Sequence, residues 1–152
     1  GRAAKLPIVA LFYNPTTNTT TGSNRVEGQL KCGLEEGVVE AKGQRVQFQW
    51  IHSGETSEET LNAFDKIKSL KPDLMIGPSL SSQVLILLKL LEQNKMRTPL
   101  VTPTATSTEI LAYDNVLMVA NSNSVQARML ASVIKEKKPR QVMVIDIRDC
   151  VY

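Results

Sequence analysis

Residues 6–12 form the run LPIVALF, which is almost entirely apolar and is followed by a polar, threonine-rich stretch that ends at Gly22. A short apolar run of this kind is typical of a strand that is buried on both faces. Strands buried on both faces occur mainly in parallel sheets covered by helices on both sides. The opening residues therefore restrict the chain to a small set of α/β architectures.

The rest of the chain alternates short β-rich segments with helical patterns. The order predicts a parallel, doubly wound sheet in a three-layer αβα arrangement. In the helix that follows the capping box at Thr56–Glu59, we expect four apolar side chains to face inward: Leu61, Phe64, Ile67 and Leu70. We predict further strands over residues 46–51 (an edge strand), 74–76, 100–102, 116–120 and 142–147. We predict one helix that starts at Ser23 and a second that starts at the Thr56–Glu59 capping box. Further helices are predicted over residues 80–94, 107–112 and 124–137.

The composition fits one globular domain, with 152 residues, 42% of them hydrophobic and 22% charged. The net charge of +3 is small and spread along the chain, so we expect no nucleic-acid partner. No apolar run is long enough to span a bilayer, and we find no signal peptide within the chain. His52 is the only histidine, and Cys32 and Cys150 lie far apart, so we expect no metal site and leave a disulfide between the two cysteines open.

Hydroxyl side chains are concentrated in three loops, residues 14–22, 77–82 and 103–108, each of which follows a predicted strand. Open parallel sheets bind ligands outside the carboxyl ends of their strands. Ser81 and Ser82 fall in the first turn of a predicted helix, where unpaired N–H groups and the helix dipole favour an anion. These features predict a site for a small zwitterion or carboxylate. The alternative is that the same hydroxyls only cap helices.

Signatures of catalysis are absent from the sequence. It has no GxSxG elbow, no GxGxxG fingerprint and no Walker loop. His52 has no acidic partner that the pattern identifies, and Asp146 and Asp149 flank Arg148 in what we interpret as a charge-paired loop. We therefore predict no catalytic residue and no cofactor.

Two segments together resemble a known family. Residues 74–82, LMIGPSLSS, resemble the "IG…SS" element of periplasmic binding proteins of the leucine/isoleucine/valine type. Residues 98–110, TPLVTPTATSTEI, resemble the family's "P-x-(I/V)-(S/T)-P-x-A-T" element and follow at the expected separation, with a helix between. The match extends over essentially the whole chain. It implies one lobe of a type I periplasmic binding protein, with a flavodoxin-like or Rossmann-like sheet.

The resemblance also implies ligand contacts. Thr21 stands where members often place an aromatic side chain over the ligand, and Tyr152 corresponds to a contact from the second lobe. Leu80 occupies one position of a disulfide found in some members. The positions that match the ligand-holding residues are Ser81, Thr104, Ala105 and Thr106, with Ser82 adjacent.

On this resemblance, residues 1–121 form the first lobe, and residues 122–152 form the crossover with the opening helix and strand of the second lobe. The short second part then packs on the first sheet, on another copy in a homodimer, or on a missing second lobe. The implied function is binding of an amino acid or related small carboxylate or amide outside the cytoplasm, for the permease of an ABC-type transporter. A sensory receptor domain on the same scaffold and a flavodoxin-like nucleotide-binding domain remain alternatives.

Overall fold

The structure is a computed structural model that describes residues 5–13, 32–33, 36, 46–52 and 56–145. Most of the helix predicted after Ser23 lies outside this part; Cys32, Gly33 and Glu36 are helical. Cys150 also lies outside it, so the disulfide stays untested. The described strands are β1 (Ile8–Tyr13), β2 (Gln47–His52), β3 (Leu74–Ile76), β4 (Leu100–Thr102) and β5 (Val116–Met118), and the helices are α1 (Ser57–Leu70), α2 (Ser81–Gln93), a 3₁₀ helix (Thr108–Ala112) and α3 (Asn123–Lys137).

The five strands form one sheet in the order β2-β1-β3-β4-β5, and every pair of neighbours is parallel. Val9 of β1 pairs with Phe48 on one side and with Leu74 on the other. The strand order therefore reverses between β1 and β3, which is the doubly wound arrangement with its switch point at this pair. The predicted α/β class, the parallel sheet and the edge position of β2 are confirmed.

Helix α1 begins at the predicted capping box. Thr56 Oγ1 accepts a hydrogen bond from the Glu59 N–H (3.2 Å), and a Glu59 carboxylate oxygen accepts one from the Thr56 N–H (3.0 Å). Phe64 and Ile67 are buried as predicted, but Leu61 is 47% exposed, so its inward placement was wrong. Thr60 takes the core position instead, because its hydroxyl can donate to the Thr56 carbonyl (3.1 Å) while its methyl is buried.

The core lies between the sheet and the helices α1 and α2. Helix α2 is the more apolar of the two and has four fully buried aliphatic side chains, each of which contributes about 1.5–3 kcal/mol through burial. These side chains are Val84, Leu87, Leu88 and Leu91, and they belong to the same cluster as Ala10, Ile67, Met75 and Leu100. The core therefore anchors β3, β4 and the start of α2, where the predicted ligand loops lie.

Helix α3 has no buried residue. Its first turn contacts the loop after β4, because the Asn123 N–H donates to the Thr106 carbonyl (2.7 Å) and the Ser124 N–H donates to Thr108 Oγ1 (3.3 Å). Residues 141–145 are exposed and are not in a strand, which differs from the strand predicted over residues 142–147. A strand needs a partner, and no described strand lies beside this segment. In the part of the chain that the structure describes, no helix is long and apolar enough to cross a membrane.

Candidate functional site

The candidate site lies where β3 and β4 end, next to the switch point between β1 and β3. The loop after β3 runs from Gly77 to Leu80, and the loop after β4 runs from Pro103 to Ser107. Because parallel neighbours end at the same edge of the sheet, the two loops are adjacent. The loop after β1, which includes Thr21, and the chain end with Tyr152 lie outside the described residues.

Helix α2 starts at this edge without a side-chain cap. Its N-cap residue is Leu80, which has the extended backbone of an N-cap (φ −89°, ψ 134°) but a side chain that cannot accept a hydrogen bond. The first turn also contains no acidic residue. The N–H groups of Ser81 and Ser82 come before the first intrahelical bond, which the Val84 N–H donates to the Leu80 carbonyl (3.0 Å). The helix start is therefore positive and suited to an anion.

Ser81, the first residue of α2, connects the start of this helix to the loop after β4. Its side chain is buried, with 4% exposed, and its Oγ accepts hydrogen bonds from the N–H of Thr106 (3.2 Å) and the N–H of Ser107 (3.1 Å). A serine hydroxyl has two lone pairs and one proton. Since both lone pairs accept hydrogen bonds, the hydroxyl can form a further hydrogen bond only by donating its proton. The structure therefore brings Ser81 and the backbone of Thr106 together.

Thr104, Ala105 and Ser82 differ in their surroundings. Thr104 is exposed, and its hydroxyl donates to the Ser79 carbonyl (3.0 Å), which forms a second connection between the loops. Ala105 is buried, with its methyl group in the hydrophobic core. Ser82 is exposed on the first turn of α2. The structure thus assembles Ser81, Thr104, Ala105 and Thr106 across one pair of loops, with Ser82 beside them.

Two residues that connect this region were not among the site residues predicted from the sequence. Thr102 is fully buried, and its hydroxyl donates to the Pro78 carbonyl (3.0 Å) and accepts from the Ala105 N–H (3.4 Å). Ser107 is also buried and caps the 3₁₀ helix by accepting from the Glu109 N–H (3.4 Å). The signal for Thr102 was a hydroxyl residue in the last strand position before a proline.

The chemistry of the site is that of neutral hydrogen-bonding groups. Residues 77–82 and 102–108 contain no charged side chain. Among the described residues, no group of three or more histidine, cysteine or acidic side chains could hold a metal ion. A surface cavity of about 420 Å³ is lined by Lys68, Lys71 and Asn94, but it lies near the amino ends of β3 and β4 and is separate from this site.

Comparison with known proteins gives matches at the level of structure. No family model matches the chain, and no curated protein matches it significantly. The branched-chain amino acid transporter substrate-binding protein LivJ from Streptococcus pneumoniae, in complex with isoleucine, is 14% identical, with a TM-score of 0.69 over 88% of this chain and 39% of that chain. The leucine-binding protein LivK from Thermotoga maritima is 19% identical, with a TM-score of 0.69 over 88% of this chain and 38% of that chain.

A solute-binding protein of an ABC transporter from Rhodopseudomonas palustris, in complex with 3,4-dihydroxybenzoic acid, is 13% identical, with a TM-score of 0.63 over 87% of this chain and 36% of that chain. The chain therefore spans less than two fifths of the length of these proteins. Its fold is that of one part of a type I periplasmic binding protein. The resemblance predicted from the two motifs is confirmed at the level of fold.

Proposed function

We propose that this chain is a ligand-binding lobe of a solute-binding protein, and that its ligand is an amino acid or a related small carboxylate or amide. The observation that carries this proposal is the Ser81 hydroxyl, which is held by two backbone N–H groups at the uncapped start of α2. The lobe acts by binding and not by catalysis.

The proton of Ser81 and the first-turn N–H groups of α2 all act as donors. Because Ser81 Oγ already accepts two hydrogen bonds, it can only donate to a ligand. Several donors that converge at the positive end of a helix favour a carboxylate. The ligands bound in the similar structures include isoleucine and 3,4-dihydroxybenzoic acid, both of which carry a carboxyl group. This shared group supports a carboxylate at Ser81 and Ser82.

Thr104 has the opposite hydrogen-bonding character. Its proton is donated to the Ser79 carbonyl, so its remaining lone pairs act as acceptors. An acceptor close to a cluster of donors suits the ammonium group of an amino acid or the N–H of an amide. We assign the half-buried Thr106 hydroxyl to the same ligand. Thr21 and Tyr152 remain proposed contacts, Thr21 over the ligand and Tyr152 from the opposite lobe.

A second lobe completes the proposed site. Residues 122–152 would begin that lobe, and the exposed apolar side chains of α3 would be covered by it; they include Met129, Leu130, Val133 and Ile134. The two lobes would close around the ligand by a hinge motion, and the closed form would be recognised by the membrane permease of an ABC-type transporter outside the cytoplasm. Alternatively, a second copy of this chain packs on the exposed apolar side chains of α3 in a homodimer. A molecular mass in solution that rises with protein concentration would support the homodimer.

Ligand screening tests the proposal. The chain is titrated with the common amino acids and with hydroxybenzoates at up to about 10 mM, because one lobe alone binds with low affinity. We expect at least one of these compounds to raise the unfolding temperature. The double variant Ser81→Ala, Thr106→Ala should abolish that shift, whereas Ser69→Ala, which removes an exposed helix hydroxyl away from the loops, should retain it.

Two outcomes would contradict the proposal at different levels. Unchanged binding in the double variant would show that the site is elsewhere on the chain. Absence of binding by every compound, to this chain and to a longer polypeptide that includes the second lobe, would refute solute binding of this class. Retention of a flavin or nucleotide through purification would favour the nucleotide-binding alternative.

A further inference from the structure

The backbone pairing between β3 and β4 ends at Gly77, the first residue of the loop after β3. Its last bond is donated by the Gly77 N–H to the Val101 carbonyl (2.8 Å). In a parallel ladder the next bond would be donated by residue 103 to residue 77. That residue is Pro103, which has no N–H. The two loops therefore leave the sheet at the point where backbone hydrogen bonds can no longer hold them together.

Thr102 provides a connection at this point. Its side chain is completely buried, and its hydroxyl donates to the Pro78 carbonyl on one loop and accepts from the Ala105 N–H on the other. Its own carbonyl accepts from the Val119 N–H (3.0 Å), which fixes its backbone to the chain that follows β5. The hydroxyl is thus held by the sheet and bonded to both loops.

We propose that Thr102 is a positioning residue for the ligand site. Its hydroxyl replaces the hydrogen bond that Pro103 cannot donate, and so sets the separation at which Ser81 Oγ meets the N–H groups of Thr106 and Ser107. The effect on ligand affinity rests on the proposed function, whereas the effect on loop geometry does not.

The hydroxyl of Thr102, and not its volume, carries this role. Valine has nearly the same shape, but it would leave the buried Pro78 carbonyl and the Ala105 N–H without their partner, which is the costly way to lose a hydrogen bond. Serine keeps the hydroxyl and loses a buried methyl group. A purely structural role would make both changes harmful, since serine leaves a small cavity. If Thr102 positions the loops, the two variants should differ, because only the valine variant loses the hydrogen bonds to Pro78 and Ala105.

Amide hydrogen exchange on the chain itself tests the geometry. In Thr102→Val we expect exchange at Thr106 and Ser107 to rise about tenfold relative to exchange at Val84, an α2 amide that corrects for global stability. In Thr102→Ser we expect these relative rates to stay within about twofold of wild type. Wild-type rates in the valine variant, or equal increases in both variants, would overturn the inference.

Ligand affinity tests the functional consequence. With a compound found by the screen, Thr102→Val should weaken binding by about tenfold, and Thr102→Ser should restore it. If binding is unchanged in the valine variant although exchange rises, Thr102 does not position the ligand site. If no compound binds to this chain or to a longer polypeptide that includes the second lobe, but the exchange pattern appears, the proposed function fails while the positioning of Ser81 by Thr102 stands.

Discussion

Gly77 lies directly against Phe12 at the switch point of the sheet. A Cβ atom added at Gly77 would be 3.0 Å from the Cβ of Phe12 and 3.3 Å from its carbonyl oxygen. Gly77 also has a φ of +88°, which side-chain-bearing residues rarely adopt. Phe12 is buried in the core and its backbone is fixed in β1, so it cannot give way at low cost. Close approach and backbone geometry therefore both require glycine at this position.

We predict that Gly77→Ala lowers the free energy of unfolding by about 2 kcal/mol or more, because the added methyl group is strained in the backbone and crowds Phe12. Urea denaturation followed by circular dichroism measures the loss. Gly33→Ala is the matched control, since a Cβ there meets no atom of the described residues within 4 Å and Gly33 is helical. The control should be neutral or slightly stabilising. Equal stability of the two variants would contradict the requirement for glycine at position 77.

The elements next to the site could be predicted closely from the sequence. The bounds of β3 and β4 agree with the prediction because glycine or proline follows each strand and ends it. Ser81 could be predicted as a candidate site residue because it falls in the first turn of a helix that starts shortly after the Gly77-Pro78 turn. The partners of its hydroxyl could not, because they depend on how close the loop after β4 comes.

The sequence predictions were wrong or incomplete where the structure depends on contacts between residues that are distant in sequence. The apolar run over residues 142–145 has the composition of a strand, yet a strand also requires a neighbour to pair with. Thr102 was correctly predicted as a strand residue, but its hydrogen bond to the Pro78 carbonyl could not be predicted, since the two residues are 24 positions apart in sequence. Periodicity likewise placed Leu61 inward, although Thr60 occupies that position.

On helix α1, Thr60 is buried and Leu61 is exposed, which can be tested by comparing substitutions at a buried and an exposed position of the same helix. We predict that Ile67→Ala lowers the free energy of unfolding by about 2–5 kcal/mol, because Ile67 is fully buried and its removal leaves a cavity. Leu61→Ala should change it by less than about 1 kcal/mol, since Leu61 is 47% exposed. Chemical denaturation of both variants measures the difference. A large loss in Leu61→Ala would restore the inward placement that periodicity predicted.

Leu80 is the N-cap of α2, and its substitution separates the stability of the helix from the binding of a ligand. We predict that Leu80→Asp raises the free energy of unfolding by about 1 kcal/mol, because its carboxylate would accept from first-turn N–H groups that Leu80 leaves uncapped. The same carboxylate would compete with the carboxylate of the ligand and weaken its binding. Leu80→Ala, which cannot cap, is the control and should leave affinity nearly unchanged. Thermal unfolding and calorimetric titration measure the two effects, and a stabilised Leu80→Asp variant with unaltered affinity would show that these N–H groups do not hold the ligand.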